Sequence, residues 1–139
     1  MPALMHLPWN SAAAGTDAPC VQDLQRSLTY AELETEARAF AGQLSELGVG
    51  EGDVIGIMLP NSVELLVAML GAWIAGVTAT PVNPTLTERE VSYQLEDARA
   101  RLLVADRALR QLRGALTPVD RRALAEADAE LYDERGLFR

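Results

Sequence analysis

One signal recurs three times along this chain and limits its fold more than any other feature: a cap residue three positions ahead of a glutamate, at the head of an apolar run. Thr29-Tyr-Ala-Glu32, Asn61-Ser-Val-Glu64 and Thr87-Glu-Arg-Glu90 carry it. In such a box the cap side chain accepts from an orphan backbone N–H, and the glutamate reaches back to the cap's own N–H. Leu28/Leu33 and Leu86/Val91 fit the hydrophobic staple that flanks these boxes. One match is weak; three in succession specify three helices.

The spacing of apolar residues fills in those helices. The first runs from about Tyr30 to Leu47, with Leu33, Ala37, Phe40, Leu44 and Leu47 on one face and Glu32, Glu36, Gln43 and Glu46 towards water. Gly48 is its expected stop. The second, about Ser62 to Ala75, is apolar nearly all round, as a helix covered on several sides would be. The third, about Glu88 to Arg99, buries Val91, Leu95 and Ala98. Between them lie Val54–Leu59, Val77–Val82 and Leu102–Ala105, short apolar runs bounded by Gly, Pro, Asn and Asp, the pattern of buried parallel strands. Alternating strands and helices predict an α/β fold, a parallel sheet with helices on its faces joined by right-handed crossovers. Cys20 to Leu28 adds a small hairpin before the first helix. Past Asp106 the pattern weakens, and Leu109/Leu112 and Leu124/Ala127/Leu131 suggest two more helices split by Pro118. The expected division is a leader over 1–17, an α/β unit over 18–106, and a helical extension or truncated continuation over 107–139.

Composition excludes several chemistries. A chain of 139 residues has room for one domain. Net charge is −8, which disfavours a nucleic-acid partner, because backbone binding rests on Lys/Arg neutralisation. All twelve basic residues are arginine, so neither a Walker A lysine nor a Schiff-base lysine exists. Cys20 and His6 are single, so no internal disulfide and no zinc set is expected. The apolar run Leu65 to Pro81 contains Gly71 and Gly76 and is too short for a convincing span. No transmembrane segment and no signal peptide are expected, which makes the cytoplasm the default location.

Gly48-Val-Gly-Glu-Gly52 invites a phosphate-loop reading, but it follows a helix and precedes a strand, the reverse of what a phosphate loop needs. It is a connecting turn. Asp53, Asp97 and Asp106 fall near strand ends, where α/β folds place ligands, yet none has a neighbouring base, nucleophile or metal partner in sequence. Pro81-Val-Asn-Pro84 ends a strand rigidly, since Pro84 holds Asn83 extended. It lies where a ligand cleft forms in such folds.

The order of segments resembles the opening of the adenylate-forming enzymes: acyl-CoA synthetases, luciferases and peptide-synthetase adenylation domains. The resemblance is carried by Leu28-Thr-Tyr-Ala-Glu-Leu33, Leu47-Gly-Val-Gly-Glu-Gly-Asp-Val54, Ile57-Met-Leu-Pro-Asn-Ser-Val-Glu64, Ala72-Trp-Ile-Ala-Gly76, Thr80-Pro-Val-Asn-Pro84, Thr87-Glu-Arg-Glu90, Tyr93-Gln-Leu-Glu-Asp97 and Ala100-Arg-Leu-Leu-Val104. Pro-Val-Asn-Pro followed by Thr-Glu-Arg-Glu looks more like fatty-acyl or aryl-CoA ligases than like amino-acid adenylation domains. The resemblance implies an AMP-forming acyl-CoA synthetase that uses ATP, Mg²⁺ and coenzyme A. The family's phosphate loop and its lid lysine have no counterpart here, so the resemblance transfers no catalytic, cofactor-binding or metal residue to this chain. It implies an N-terminal fragment, inactive by itself, whose partner is the remainder of the synthetase, a complementary fragment or a second copy. The alternative is a standalone interaction module of the same fold, without catalysis.

Overall fold

The computed structural model describes residues 7–11, 15–105 and 117–118. A 3₁₀ turn, Pro8–Ser11, precedes an antiparallel hairpin of β1 (Pro19–Gln22) and β2 (Ser27–Thr29). Then follow α1 (Tyr30–Glu46), β3 (Val54–Met58), α2 (Val63–Ile74), β4 (Thr78–Pro81), α3 (Glu88–Asp97), β5 (Leu102–Ala105) and β6 (Thr117–Pro118). The main sheet has the order β4-β3-β5-β6, with β3 parallel to both β4 and β5, and β6 antiparallel to β5. The expected α/β fold with a parallel sheet is the one observed. The helices suggested around Leu109/Leu112 and Leu124/Ala127/Leu131 lie outside the described residues, as do Asp106 and His6.

Period-two alternation along the strands assigns each side chain a face. Ile55, Ile57, Leu102 and Val104 join the core built by α1 and α2. Val54, Met58 and Leu103 turn the other way, towards Val91 and Leu95 of α3. Trp9, in the 3₁₀ turn, is buried in the first of these cores. Its indole N–H has no hydrogen-bond partner among the described residues. Two glycines set how close the layers come. At Gly71 a Cβ would lie 2.7 Å from the Ala37 carbonyl oxygen, so only glycine lets α2 rest on α1. At Gly56 it would run into Leu95 of α3.

All three helices stop in the same way. The amide two residues past the cap bonds back to a carbonyl in the last turn: Val49 to Leu44 at 2.9 Å, Val77 to Ala72 at 2.9 Å, Ala100 to Leu95 at 2.8 Å. This Schellman closure needs one left-handed residue, which is Gly48 after α1, Gly76 after α2 and Arg99 (φ 54°) after α3. The residue that follows is an apolar plug in each case: Val49, Val77 and Ala100 are all buried.

Three expectations change. Thr29 and Thr87 do form full capping boxes with Glu32 and Glu90, but Asn61 does not cap α2. Ser62 caps it, accepting from Leu65 N at 3.3 Å, and so Glu64 falls one position short of closing a box. Leu47 is not on the buried face of α1; it is the C-cap and is 51% exposed, and Val49 is buried in its place because the closure turns the chain. Ala98 is half-buried rather than buried.

Candidate functional site

In open α/β sheets, ligands bind outside the carboxyl ends of the strands, where neighbouring connections leave for opposite faces. Here β3 leads to α2 on one face and its neighbour β4 leads to α3 on the other. The crevice at their carboxyl ends is therefore the topological place to look. It is bordered by the segments Leu59–Ser62 and Val82–Leu86.

The polar groups there are engaged with one another. Asp23, at the turn of the β1–β2 hairpin, accepts from Val63 N through Oδ2 at 2.8 Å, across 40 residues of sequence. Its Oδ1 accepts from Gln25 N at 2.8 Å and Arg26 N at 2.9 Å. These amides, Val63 first and then Arg26 and Gln25, hold the Asp23 carboxyl below its ordinary pKa. Arg26 forks onto Glu36 of α1 at 2.7 and 2.8 Å. Its Nε lies 2.9 Å from Glu64 of α2, an ion pair without hydrogen-bond alignment. The hairpin turn thus clamps α1 to α2 and fills the N-terminus of α2 with a carboxylate. On the other side Asn83 Oδ1 accepts from Thr85 N at 3.0 Å and from Thr85 Oγ1 at 2.8 Å. Gln94 donates to Pro81 O at 2.8 Å, which closes the end of edge strand β4. Glu88 and Glu90 stand in the first turn of α3, and Glu90 is held below its ordinary pKa by the Thr87 amide and hydroxyl.

A helix N-terminus takes an anion when its amides are free and its field is positive. Neither helix at this crevice meets that condition, since Asp23 occupies the one and two glutamates crowd the other. The described residues at this crevice do not fit a triphosphate. Among the described residues no group of three or more His, Cys, Asp or Glu side chains is placed to hold a metal ion.

The candidate aspartates are dispersed. Asp53 lies at the amino end of β3, opposite the ligand edge. Its Oδ2 accepts from Gly50 N at 2.9 Å and from Arg101 Nη1 at 2.8 Å, and that arginine also reaches Gly48 O at 3.0 Å. The Gly50 amide, then Arg101, lower the Asp53 pKa. Gly48–Gly52 is thus a turn stapled to the α3–β5 connection. Asp97 is exposed at the end of α3. Sequence reading gave Asp23 and Arg26 no role, and the only signal for them was a turn-favouring aspartate ahead of a lone arginine. Cys20 is half-buried, and burial raises its thiol pKa. No helix among the described residues is long and apolar enough to cross a membrane.

The family model of the AMP-binding enzymes matches residues 8–136. A long-chain-fatty-acid–CoA ligase of Escherichia coli O157:H7 is 37% identical over 68% of this chain and 17% of its own length. The non-canonical nonribosomal peptide synthetase CymA of Salinispora arenicola is 34% identical over 91% of this chain and 2% of its own length. Among solved structures, a benzoate CoA ligase from Burkholderia xenovorans LB400 superposes with a TM-score of 0.64 at 38% identity, over 69% of this chain and 20% of that one. The chain therefore spans a fifth or less of the relatives it matches here.

Proposed function

The chain belongs to the AMP-binding enzyme family, and from that premise we propose that it is the N-terminal part of an ATP-dependent acyl- or aryl-CoA ligase. In the proposed reaction a carboxylate is adenylated and the acyl group then passes to coenzyme A. The observation that carries this reading is the match over 8–136 to enzymes of which the chain is a small share. Pro81-Val-Asn-Pro84 with Thr87-Glu-Arg-Glu90 favours fatty-acyl or aryl substrates over amino acids.

Within such an enzyme this part is a scaffold. Its α/β unit is 18–106, with the Trp9 turn packed on it, and 107–139 is a helical extension or a truncated continuation, of which Thr117–Pro118 pairs with β5. ATP, Mg²⁺ and coenzyme A belong to the whole enzyme. Because the α2 and α3 N-termini are already filled or acidic, the groups that grip the nucleotide come from elsewhere, and this part is inactive by itself. Its partner is the remainder of the synthetase.

The test is the intact mass of the polypeptide that the source cell makes, followed by carboxylate-dependent release of pyrophosphate from ATP. A mass several times 15.0 kDa together with that activity supports the reading. A mass near 15.0 kDa overturns it in favour of a standalone interaction module.

A further inference from the structure

Each wall of the crevice at the carboxyl ends of β3 and β4 is held from behind by a side chain distant in sequence. Asp23 takes Val63 N behind Leu59–Ser62, and Gln94 of α3 takes Pro81 O behind Val82–Leu86. Asp23 belongs to the clamp that joins α1 to α2, so its loss would reach the main core. Gln94 acts at one place. Its half-buried amide donates to Pro81 O at 2.8 Å and to Thr80 Oγ1 at 3.3 Å, both at the end of β4.

The ladder explains why that carbonyl needs a partner. Thr78 N donates to Asp53 O and Val82 N to Ile57 O, each at 2.9 Å. Alternate residues of a parallel strand face its neighbour, so Pro81 turns its carbonyl to the edge away from β3. A proline brings no N–H there, and Gln94 takes the lone acceptor. Past Pro81 the chain is set residue by residue. Val82 is buried in the α3 core, Pro84 holds Asn83 extended, and Asn83 O accepts from Leu86 N at 3.1 Å before the Thr87 box opens α3. Loop 82–86 thus leaves the sheet in one direction, with Asn83, Pro84 and Thr85 exposed and no charged side chain. Leu59-Pro60-Asn61-Ser62 opposite carries none either.

We propose that Gln94 is a positioning residue: by tying Pro81 it fixes where loop 82–86 stands against an uncharged stretch of an organic substrate. The inference rests on the reading of the chain as part of an acyl- or aryl-CoA ligase. Neutral walls suit an acyl or aryl group, or the thiol-bearing arm of coenzyme A. They do not suit the triphosphate, because the helix N-termini beside them are filled or acidic. A loop ordered in advance spares the substrate the cost of ordering it, so loosening the loop raises KM before it lowers kcat.

The experiment uses the full-length polypeptide as the source cell makes it, carrying Gln94→Leu, which keeps the bulk and removes the donor. Pyrophosphate release and thioester formation give KM for the carboxylate, ATP and coenzyme A. The expected result is a several-fold higher KM for the carboxylate or for coenzyme A, and the one that rises identifies the substrate. KM for ATP, kcat and the melting temperature should stay near those of the parent enzyme. Unchanged KM for both organic substrates overturns the inference and leaves the functional reading standing. A joint fall in kcat and melting temperature without a KM change does the same, since it makes Gln94 a structural residue only. Hydrogen exchange supplies a reading that does not depend on turnover: the Thr85 and Leu86 amides should exchange several-fold faster in Gln94→Leu while those of α1 keep their rates. Equal loop rates overturn the inference. A parent enzyme without carboxylate-dependent pyrophosphate release removes the functional reading, and the inference with it.

Discussion

On one face of the sheet, α1 and α2 bring Leu33, Leu44, Ile55, Ile57, Val63 and Val104 to below 2% exposure, while on the other, among the described residues, α3 contributes Val91 and Leu95 to a core of four buried residues. The first face joins two helices through a glycine contact and a hairpin clamp, so that each element there has several neighbours. The second is one helix on one sheet, held by a capping box, two apolar side chains and the Gln94 bond to Pro81. The difference teaches where a chain of this size concentrates its stability: where apolar side chains interlock between two layers and a third, not where one amphipathic helix lies flat.

That contrast is sharpest in deletions of buried side chains. Leu33→Ala, at a site with no exposure, is expected to cost about 3–4 kcal/mol, whereas Leu95→Ala, where the looser α3 can settle, costs about 2 kcal/mol. Urea unfolding of both variants measures the gap; equal losses would remove the distinction between the faces. The two glycine contacts come next. Gly71→Ala forces a methyl against the Ala37 carbonyl and the Phe40 ring and is expected to lose about 2 kcal/mol, despite alanine's better helix propensity. Gly56→Ala meets the end of the Leu95 side chain, which can turn aside, so its loss is about 1 kcal/mol.

A smaller effect of opposite sign belongs to the α3 face. Arg99 holds the left-handed position that glycine holds after the other two helices. Arg99→Gly should raise stability by about 0.5–1 kcal/mol, part of the relieved strain being offset by the freer unfolded chain. Thermal unfolding reads this directly, and a lower melting temperature would show that the Arg99 side chain contributes more than its backbone costs.

The gentlest probe is acid. Asp23 clamps the α1/α2 face at the carboxyl edge and Asp53 staples loops at the amino edge, and both carboxyls are held below their ordinary pKa. A depressed folded-state value contributes stability that is fully present above the unfolded-state pKa and is lost as pH falls through the folded one. Stability should therefore be flat near neutrality and decline below the ordinary aspartate range. Asp23→Asn and Asp53→Asn should each flatten that decline, and unchanged acid limbs would show that neither carboxylate is coupled to folding.

Local rules account for how much of this was legible in the sequence. Thr29 and Thr87 with their glutamates, the apolar spacing of α1 and α3 apart from Leu47 and Ala98, and the runs of β3, β4 and β5 are interactions over three or four residues, and they stand as read. Asn61 failed because the choice between it and Ser62 as cap depends on where β3 releases the chain. Leu47 and Val49 exchanged roles because a left-handed turn intervenes, and helical periodicity does not cross such a turn. Arg99 gave no glycine signal at all. At the candidate site, the loop 81–84 was visible as a rigid turn, but its filling was not.

The sequence by itself determined α1, α2 and α3, the strands β3, β4 and β5 between them, their order along the chain, and the lack of any lysine in it, because these follow from backbone caps, side-chain periodicity and composition. Only the tertiary structure decided that Asp23 fills the N-terminus of α2, that Arg26 joins Glu36 to Glu64, that Asp53 belongs to the amino edge, and that Gln94 ties the end of β4. Those partners lie from ten to 48 residues apart in sequence, and no local pattern links them. What joins them is the folding of two helices onto one face of a sheet, which places groups from distant segments within hydrogen-bond reach.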